Sequence, residues 1–150
     1  MKAVNPYLNF PGNTEEAFNF YKSVFGGEFV ALNRFREFGG GARGMPENEL
    51  DKIMHIALPL GAGCILMGTD VTESWPAKVV VGNNVYITLE PDTIDEAQGL
   101  FDGLSAGGRI EMALQKTEWA EAYGICADKY GVQWMVNYTG SVQFAGSPQG

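Results

Sequence analysis

The chain has 150 residues, a formal net charge of −8 and 45% hydrophobic residues. That length suffices for a compact domain with a real hydrophobic core. Because nucleic acids and anionic membranes are bound by clustered lysine and arginine, the acidic balance argues against both as partners. The sequence shows neither an apolar run of membrane-spanning length nor a signal-peptide core after Met1, which favours a cytoplasmic protein.

The first half of the chain predicts a strand, a helix and three more strands. An apolar run ends at Pro11-Gly12, and apolar residues then recur at helical spacing from Ala17 until Gly26-Gly27. Asn13 followed by Glu16 is typical of a capping box at the start of this helix. Beyond it, the pattern predicts a second strand at 28–38, a mobile glycine-rich loop at 39–51, and a hairpin with strands at 53–60 and 64–69.

The second half repeats this order. Pro11 corresponds to Pro91, Glu16-Ala17 to Glu96-Ala97, and Phe20-Tyr21 to Leu100-Phe101, each 80 positions later. Thr93 with Glu96 forms a clearer capping box, and Gly107-Gly108 ends the helix. Strands are predicted at 85–90, 109–114, 123–127 and 132–138. A repeat of this length indicates two copies of one supersecondary unit.

We therefore predict an α+β fold, in which two βαβββ modules form curled mixed sheets around an open cleft. The modules cover about 5–70 and 85–139 of a single domain, with a connector at 71–84 and a loose tail at 140–150. Cys64 and Cys126 lie in apolar runs without a CxxC partner. We expect them to be reduced core thiols, which excludes a zinc knuckle or a disulfide framework.

Several segments of this chain resemble the vicinal oxygen chelate superfamily, which includes glyoxalase I, extradiol dioxygenases and proteins of fosfomycin and bleomycin resistance. Within it the chain looks most like the PhnB-like branch. The resemblance is carried by Pro6-Tyr-Leu-Asn-Phe, the helix from Ala17, His55, Leu66-Met-Gly-Thr-Asp, Trp119-Ala-Glu-Ala-Tyr-Gly and Asp128-Lys-Tyr-Gly-Val-Gln-Trp. It implies a homodimer, with or without exchange of modules. Some relatives carry names that imply methyl transfer in ubiquinone synthesis, but Gly39-Gly40-Gly41 leads into a loop and forms no nucleotide-binding turn.

The resemblance also implies four positions for metal ligands, one on the first and one on the fourth strand of each module. Alignment of the two copies places them at Pro6, Met67, Tyr86 and Met135. Proline has no side-chain donor, neutral tyrosine is a poor ligand, and thioethers are soft groups that suit copper(I). A two-methionine copper site is less plausible than core packing, and a slip of one residue offers only Tyr7, Met54 or Gly68. We therefore expect no metal and no other cofactor.

His55 is the only histidine, so any mechanism that needs two is excluded. Alternation on its strand predicts Met54, Ile56 and Leu58 on the helix-facing side and His55 with Ala57 on the cleft side. There it would either brace the sheet or a dimer contact by a hydrogen bond, or act as a general base. Other polar and aromatic candidates near the cleft are Glu118, Arg34 for an anionic ligand, and Trp119 and Tyr123 as a lid.

The favoured function is a small-molecule-binding protein without a metal centre, because apolar, aromatic-rich clefts are the usual small-ligand sites. Its pocket wall would comprise Pro6, Met67, Tyr86 and Met135, with polarity from His55 and Glu118. One alternative is a lyase, isomerase or dioxygenase, either metal-free with His55 as base or metal-dependent with other ligands. A further alternative is a dimerisation protein with a relic cleft. The ligand itself is not specified by the sequence.

Overall fold

The structure is a computed structural model that describes residues 1–39, 41 and 43–143. Contacts divide the chain into two compact units, Met1–Val80 and Val81–Gly150, here called the first and second unit. Among the described residues, no helix combines the length and the apolar character that crossing a membrane requires.

The first unit contains one helix and a four-stranded mixed sheet. In chain order its elements are β1 (Tyr7–Phe10), α1 (Thr14–Phe25), β2 (Ala31–Arg34), β3 (Ile53–Gly61) and β4 (Cys64–Asp70). The strands lie in the order β1-β4-β3-β2, with β1 parallel to β4 and the other neighbours antiparallel.

The second unit repeats this topology. Its elements are β5 (Ile87–Leu89), α2 (Ile94–Ser105), β6 (Arg109–Gln115), β7 (Ala122–Ala127) and β8 (Gln133–Tyr138). The strand order is β5-β8-β7-β6, again with the outer pair β5 and β8 parallel and the others antiparallel. The predicted α+β fold with two βαβββ modules is confirmed.

Each helix packs closely on its sheet where a glycine removes a side chain. In the first unit Phe18 is fully buried, and a Cβ on Gly68 of β4 would lie 2.7 Å from its ring. In the second unit a Cβ on Gly124 would lie 2.7 Å from the ring of Phe101. Carbon atoms in contact are about 3.5 to 4.0 Å apart, so only glycine fits at either place. Trp134 of β8 is fully buried.

The two helices begin differently. In α2 the predicted capping box is present, because Thr93 Oγ1 accepts from the Glu96 N–H at 3.1 Å and Glu96 accepts from the Asp92 N–H at 2.9 Å. In α1 the Asn13 side chain makes no cap bond. The first N–H of that helix, at Thr14, instead donates to the carboxylate of Asp70, 56 residues away in the sequence.

Three local predictions are wrong or incomplete. The strand predicted at 28–38 ends at Arg34, and Phe35–Phe38 form a 3-10 turn. The segment predicted as a mobile loop at 39–51 contains a second 3-10 turn, Glu47–Glu49, and buries Glu49 and Leu50. Two residues of that segment, Gly40 and Ala42, lie outside the described residues, as does 144–150 of the predicted loose tail. The described start of that tail is held by Ser141, whose N–H donates to Glu121 at 3.0 Å.

Candidate functional site

The first sheet has one face against α1 and a second face that carries polar side chains. Ile56 and Leu58 are fully buried on the helix side, as alternation predicts. On the other face the register places Tyr7 beside Met67 and Met67 beside Ala57. Met54, expected with Ile56, lies in a bulge instead, because pairing with β2 passes from His55 directly to Ile53.

Tyr7 and His55 form a pair on this second face. The Tyr7 hydroxyl lies 3.1 Å from His55 Nδ1, and the two rings stack with centroids 5.7 Å apart. Burial raises the pKa of Tyr7, an effect that the nearby Thr69 hydroxyl partly offsets. The hydroxyl therefore stays protonated at neutral pH and is available as a donor or as a proton relay.

A pocket opens beside this pair. It holds about 530 Å³ and is lined by Tyr7, Asn9, Phe35, Phe38, Arg43, Met45, Met54, Thr69, Asp70, Val71, Thr72, Ser74 and Trp75. Strand residues form its floor, and aromatic and thioether side chains from three non-strand segments form its walls. Its size and its mixture of apolar walls with a few polar groups are typical of small-molecule sites.

Hydrogen bonds to other segments place two of these walls. The Phe35 N–H donates to the Lys52 carbonyl at 3.2 Å and the Arg36 N–H to the Leu50 carbonyl at 2.9 Å, which directs the chain out of β2 into the 3-10 turn. The connector turn that carries Trp75 is held by Glu49. Its buried carboxylate accepts from the Glu73 N–H and the Ser74 hydroxyl, both at 2.8 Å.

The polar groups of the pocket differ in whether they already form hydrogen bonds within the protein. Asp70 is 4% exposed, and its two oxygens accept from the N–H groups of Thr14 at 3.0 Å and Ile53 at 2.8 Å. Thr69 donates to the Met54 carbonyl at 2.7 Å. By contrast, the side chains of Asn9 and Arg43 are exposed at the pocket. Asn9 and Arg43 thus present exposed polar groups to the pocket, and the Tyr7 hydroxyl, which is paired with His55, adds a third.

Several residues predicted for the site in the first unit do not line this pocket. Pro6 precedes β1, and its carbonyl accepts a hydrogen bond from the Met67 N–H. The residue of β1 that lies beside Met67 is Tyr7. Met67 and His55 lie on the same face, and His55 reaches the pocket only through Tyr7. Arg34 does not line the pocket, and its guanidinium forms two hydrogen bonds with Glu15 on α1, at 2.7 and 3.2 Å.

The remaining predicted residues belong to the second unit. Tyr86 donates to Glu111 at 2.8 Å, which raises the pKa of Tyr86 and lowers that of Glu111. Met135 lies beside Thr88, two positions after Tyr86, and its sulfur accepts from the Tyr123 hydroxyl at 3.4 Å. Tyr123 packs edge to face against Trp119, with ring centroids 5.2 Å apart. Glu118 is exposed.

The four family positions do not fit a hard divalent cation. The strand register places Tyr7 rather than Pro6 beside Met67, and Thr88 rather than Tyr86 beside Met135. Either choice pairs a thioether with a neutral or absent donor, whereas such cations need carboxylates or imidazoles. Among the described residues, His, Cys, Asp and Glu side chains form no group of three or more that could hold a metal ion.

Sequence reasoning missed most of the pocket. Tyr7 and Asn9 could have been predicted, since the alternation of side chains along a strand places both on the face of β1 opposite Leu8 and Phe10. Trp75 carried a weaker signal, as a large aromatic residue in a connector rich in turn-forming residues. Phe35, Phe38 and Arg43 carried none, because their position depends on where β2 ends.

Comparisons with known proteins agree with this fold. A family model described as "Glyoxalase/Bleomycin resistance protein/Dioxygenase superfamily" matches residues 4–136. Protein YjdN of Escherichia coli (strain K12) is 31% identical over 137 residues, which cover 89% of this chain and 93% of that protein. Among solved structures, protein PA1353 from Pseudomonas aeruginosa is 37% identical with a TM-score of 0.75, covering 90% of this chain and 96% of that one. The PhnB protein from Bacillus cereus is 29% identical with a TM-score of 0.67, covering 90% and 98% respectively. The chain therefore belongs to the glyoxalase/bleomycin resistance protein/dioxygenase superfamily, with PhnB-like proteins among its structural neighbours.

Proposed function

We propose that this protein binds a small organic molecule in the pocket of the first unit, without the help of a metal ion. The observation that carries the proposal is the lining of that pocket, in which the aromatic side chains of Phe35, Phe38 and Trp75 lie around a floor that includes Tyr7 and Asn9. Apolar walls supply affinity by removing ligand surface from water, and a few polar groups fix its orientation. The metal-free part of the proposal is supported by the residues at the implied metal positions, where each thioether has only a neutral or absent donor beside it.

The test uses the neutral fluorescent probe N-phenyl-1-naphthylamine and protein dialysed against EDTA. We expect saturable binding of one probe per chain, with the metal chelator having no effect on affinity. Trp75→Ala removes an exposed wall of the pocket and should weaken binding about tenfold, which is about 1.4 kcal/mol. Trp119→Ala, in the second unit, is the matched control and should leave the affinity within about twofold. Binding that needs a divalent metal, or that Trp75→Ala leaves intact, would contradict the proposal.

A second candidate function is proton transfer on a bound ligand, favoured by the contact between Tyr7 and His55. Because burial raises the pKa of Tyr7, a free tyrosinate is not formed near neutral pH. Tyr7 would instead accept a proton from the ligand while it passes its own to His55 Nδ1. His55 would thus be the final base, acting through Tyr7.

Deuterium exchange tests this second function. The probe is hydroxyacetone in D2O, whose carbon-bound protons next to the carbonyl exchange when a base removes them. Exchange followed by proton NMR should be faster with the wild-type protein than with buffer, and both Tyr7→Phe and His55→Ala should abolish the difference. A rate with the wild-type protein that equals the rate in buffer would rule this chemistry out for that class of ketone. A rate with either variant that equals the wild-type rate would rule it out as well.

A further inference from the structure

The pocket of the first unit is lined by one arginine, Arg43, with which no carboxylate of the described residues forms an ion pair. The unit has three arginines, Arg34, Arg36 and Arg43. Arg34 pairs with Glu15 at 2.7 Å, and Arg36 with Glu47 at 2.8 Å and Asp51 at 3.0 Å. The guanidinium of Arg43 makes no ion pair with any described residue and lines the pocket. In a chain with 18 acidic and 10 basic side chains, such an unpaired arginine is unexpected.

A compact turn presents Arg43 at the pocket. Its N–H donates to the Gly39 carbonyl at 3.1 Å, and the Gly44 N–H donates to the Gly41 carbonyl at 3.2 Å. Gly39 and Gly44 both have φ of 78°, in the left-handed region that residues with a Cβ adopt only with strain. Met45, next along the chain, also lines the pocket, so the turn supplies an apolar and a cationic group together.

The carboxylate that lines the pocket does not neutralise Arg43. Asp70 is almost fully buried, and both of its carboxylate oxygens accept hydrogen bonds from backbone N–H groups, one of them at the start of α1. A ligand therefore meets the positive charge of Arg43, whereas Asp70, which supplies the carboxylate among the described lining residues, is buried. Guanidinium groups bind carboxylates through two parallel hydrogen bonds, and the rings of Phe35, Phe38 and Trp75 provide flat apolar surface beside it.

We propose that the pocket takes an aromatic carboxylate, with its ring among Phe35, Phe38 and Trp75 and its carboxylate on the Arg43 guanidinium. This inference rests on the proposed function and adds to it the chemical class of the ligand. The polar floor completes the site, because the Tyr7 hydroxyl and the Asn9 amide offer hydrogen bonds to a ring substituent.

Two probes of nearly equal size, one charged and one uncharged, test the ligand class. They are 2-naphthoate and its amide, 2-naphthamide, each titrated calorimetrically into the full chain. The wild-type protein should bind 2-naphthoate at least about tenfold more tightly than 2-naphthamide. Arg43→Gln should bring the two affinities to within about twofold. Lys2→Gln removes the same charge from an exposed residue outside the pocket and should preserve the preference. Because Arg43 is exposed, we expect its variant to unfold at the wild-type temperature.

Two results would overturn this inference alone: equal affinities in the wild-type protein, or a preference for 2-naphthoate that survives Arg43→Gln. In either case binding of N-phenyl-1-naphthylamine would still support the pocket itself. If neither naphthalene compound nor N-phenyl-1-naphthylamine binds, the proposed function and the ligand class fail together.

Discussion

Replacement of Asp70 by asparagine tests how the first unit is held together behind its pocket. The Asp70 carboxylate joins the start of α1 to the start of β3, because one oxygen accepts from the Thr14 N–H and the other from the Ile53 N–H. Asparagine has a single acceptor oxygen, so its amide nitrogen would face one of these N–H groups as a second donor. A buried N–H left unsatisfied costs about 1 to 3 kcal/mol, and removal of an anion from a helix N-terminus adds up to about 2 kcal/mol.

We therefore expect Asp70→Asn to lower the free energy of unfolding by about 2 to 4 kcal/mol, measured by urea denaturation with circular dichroism. Hydrogen exchange at the Thr14 and Ile53 amides should accelerate as well. The matched control is Asp51→Asn, which removes an exposed carboxylate paired with Arg36 at 3.0 Å and should lower stability far less, because water screens exposed ion pairs. A loss for Asp70→Asn no larger than that of the control would refute the role assigned to this carboxylate.

Three further predictions test other parts of the structure. Thr93→Ala should cost about 1 kcal/mol of stability, whereas Asn13→Ala should cost almost nothing, because only Thr93 caps its helix through the side chain; equal costs in urea denaturation would contradict this. Glu49→Ala should speed exchange of the Glu73 amide and weaken binding of N-phenyl-1-naphthylamine several-fold, while Glu49→Gln, which keeps an acceptor and can donate to Ser74, should retain most of it. Burial, together with the nearby carboxylates of Asp128 and Glu111, raises the pKa of Cys126 from 9.0 to about 11. As pH rises, the thiol ionises in the unfolded chain before it ionises in the folded protein, so its contribution to stability is complete below pH 9 and is lost towards pH 11. Relative to Cys126→Ala, this loss of stability should reach at most about 2.7 kcal/mol. Parallel pH profiles of stability for the wild-type protein and Cys126→Ala would contradict it.

The secondary structure was largely predictable because its signals are local. Pro11-Gly12 and Gly26-Gly27 delimit α1, and apolar periodicity identifies both helices and the hairpin of β3 and β4. The repeat then fixed the topology, since one module predicts the other. Local sequence patterns predict an element wrongly where a residue distant in the sequence determines its end or its cap. The alternation at 28–38 continues past Arg34, but the strand ends there because Phe35 bonds to the backbone of Lys52. Similarly, the cap expected from Asn13 is supplied by Asp70.

The candidate site was less predictable for the same reason. Its aromatic walls come from a 3-10 turn and from a connector, and Glu49 fixes the connector from a segment that the sequence suggested to be a loop. His55 was placed on the correct face of β3 by alternation, but its contact with Tyr7 depends on the register between β1 and β4 and between β3 and β4. Arg34 was expected to meet a ligand, yet Glu15 on α1 engages it.

A crystal structure of the protein soaked with N-phenyl-1-naphthylamine tests the central claim most directly. We expect density for the naphthalene ring beside Trp75 and Phe35, above the Tyr7 hydroxyl, with no metal ion bound at Met67 or Met135. Density for the probe only elsewhere on the chain, or a metal ion bound at those methionines, would contradict the account.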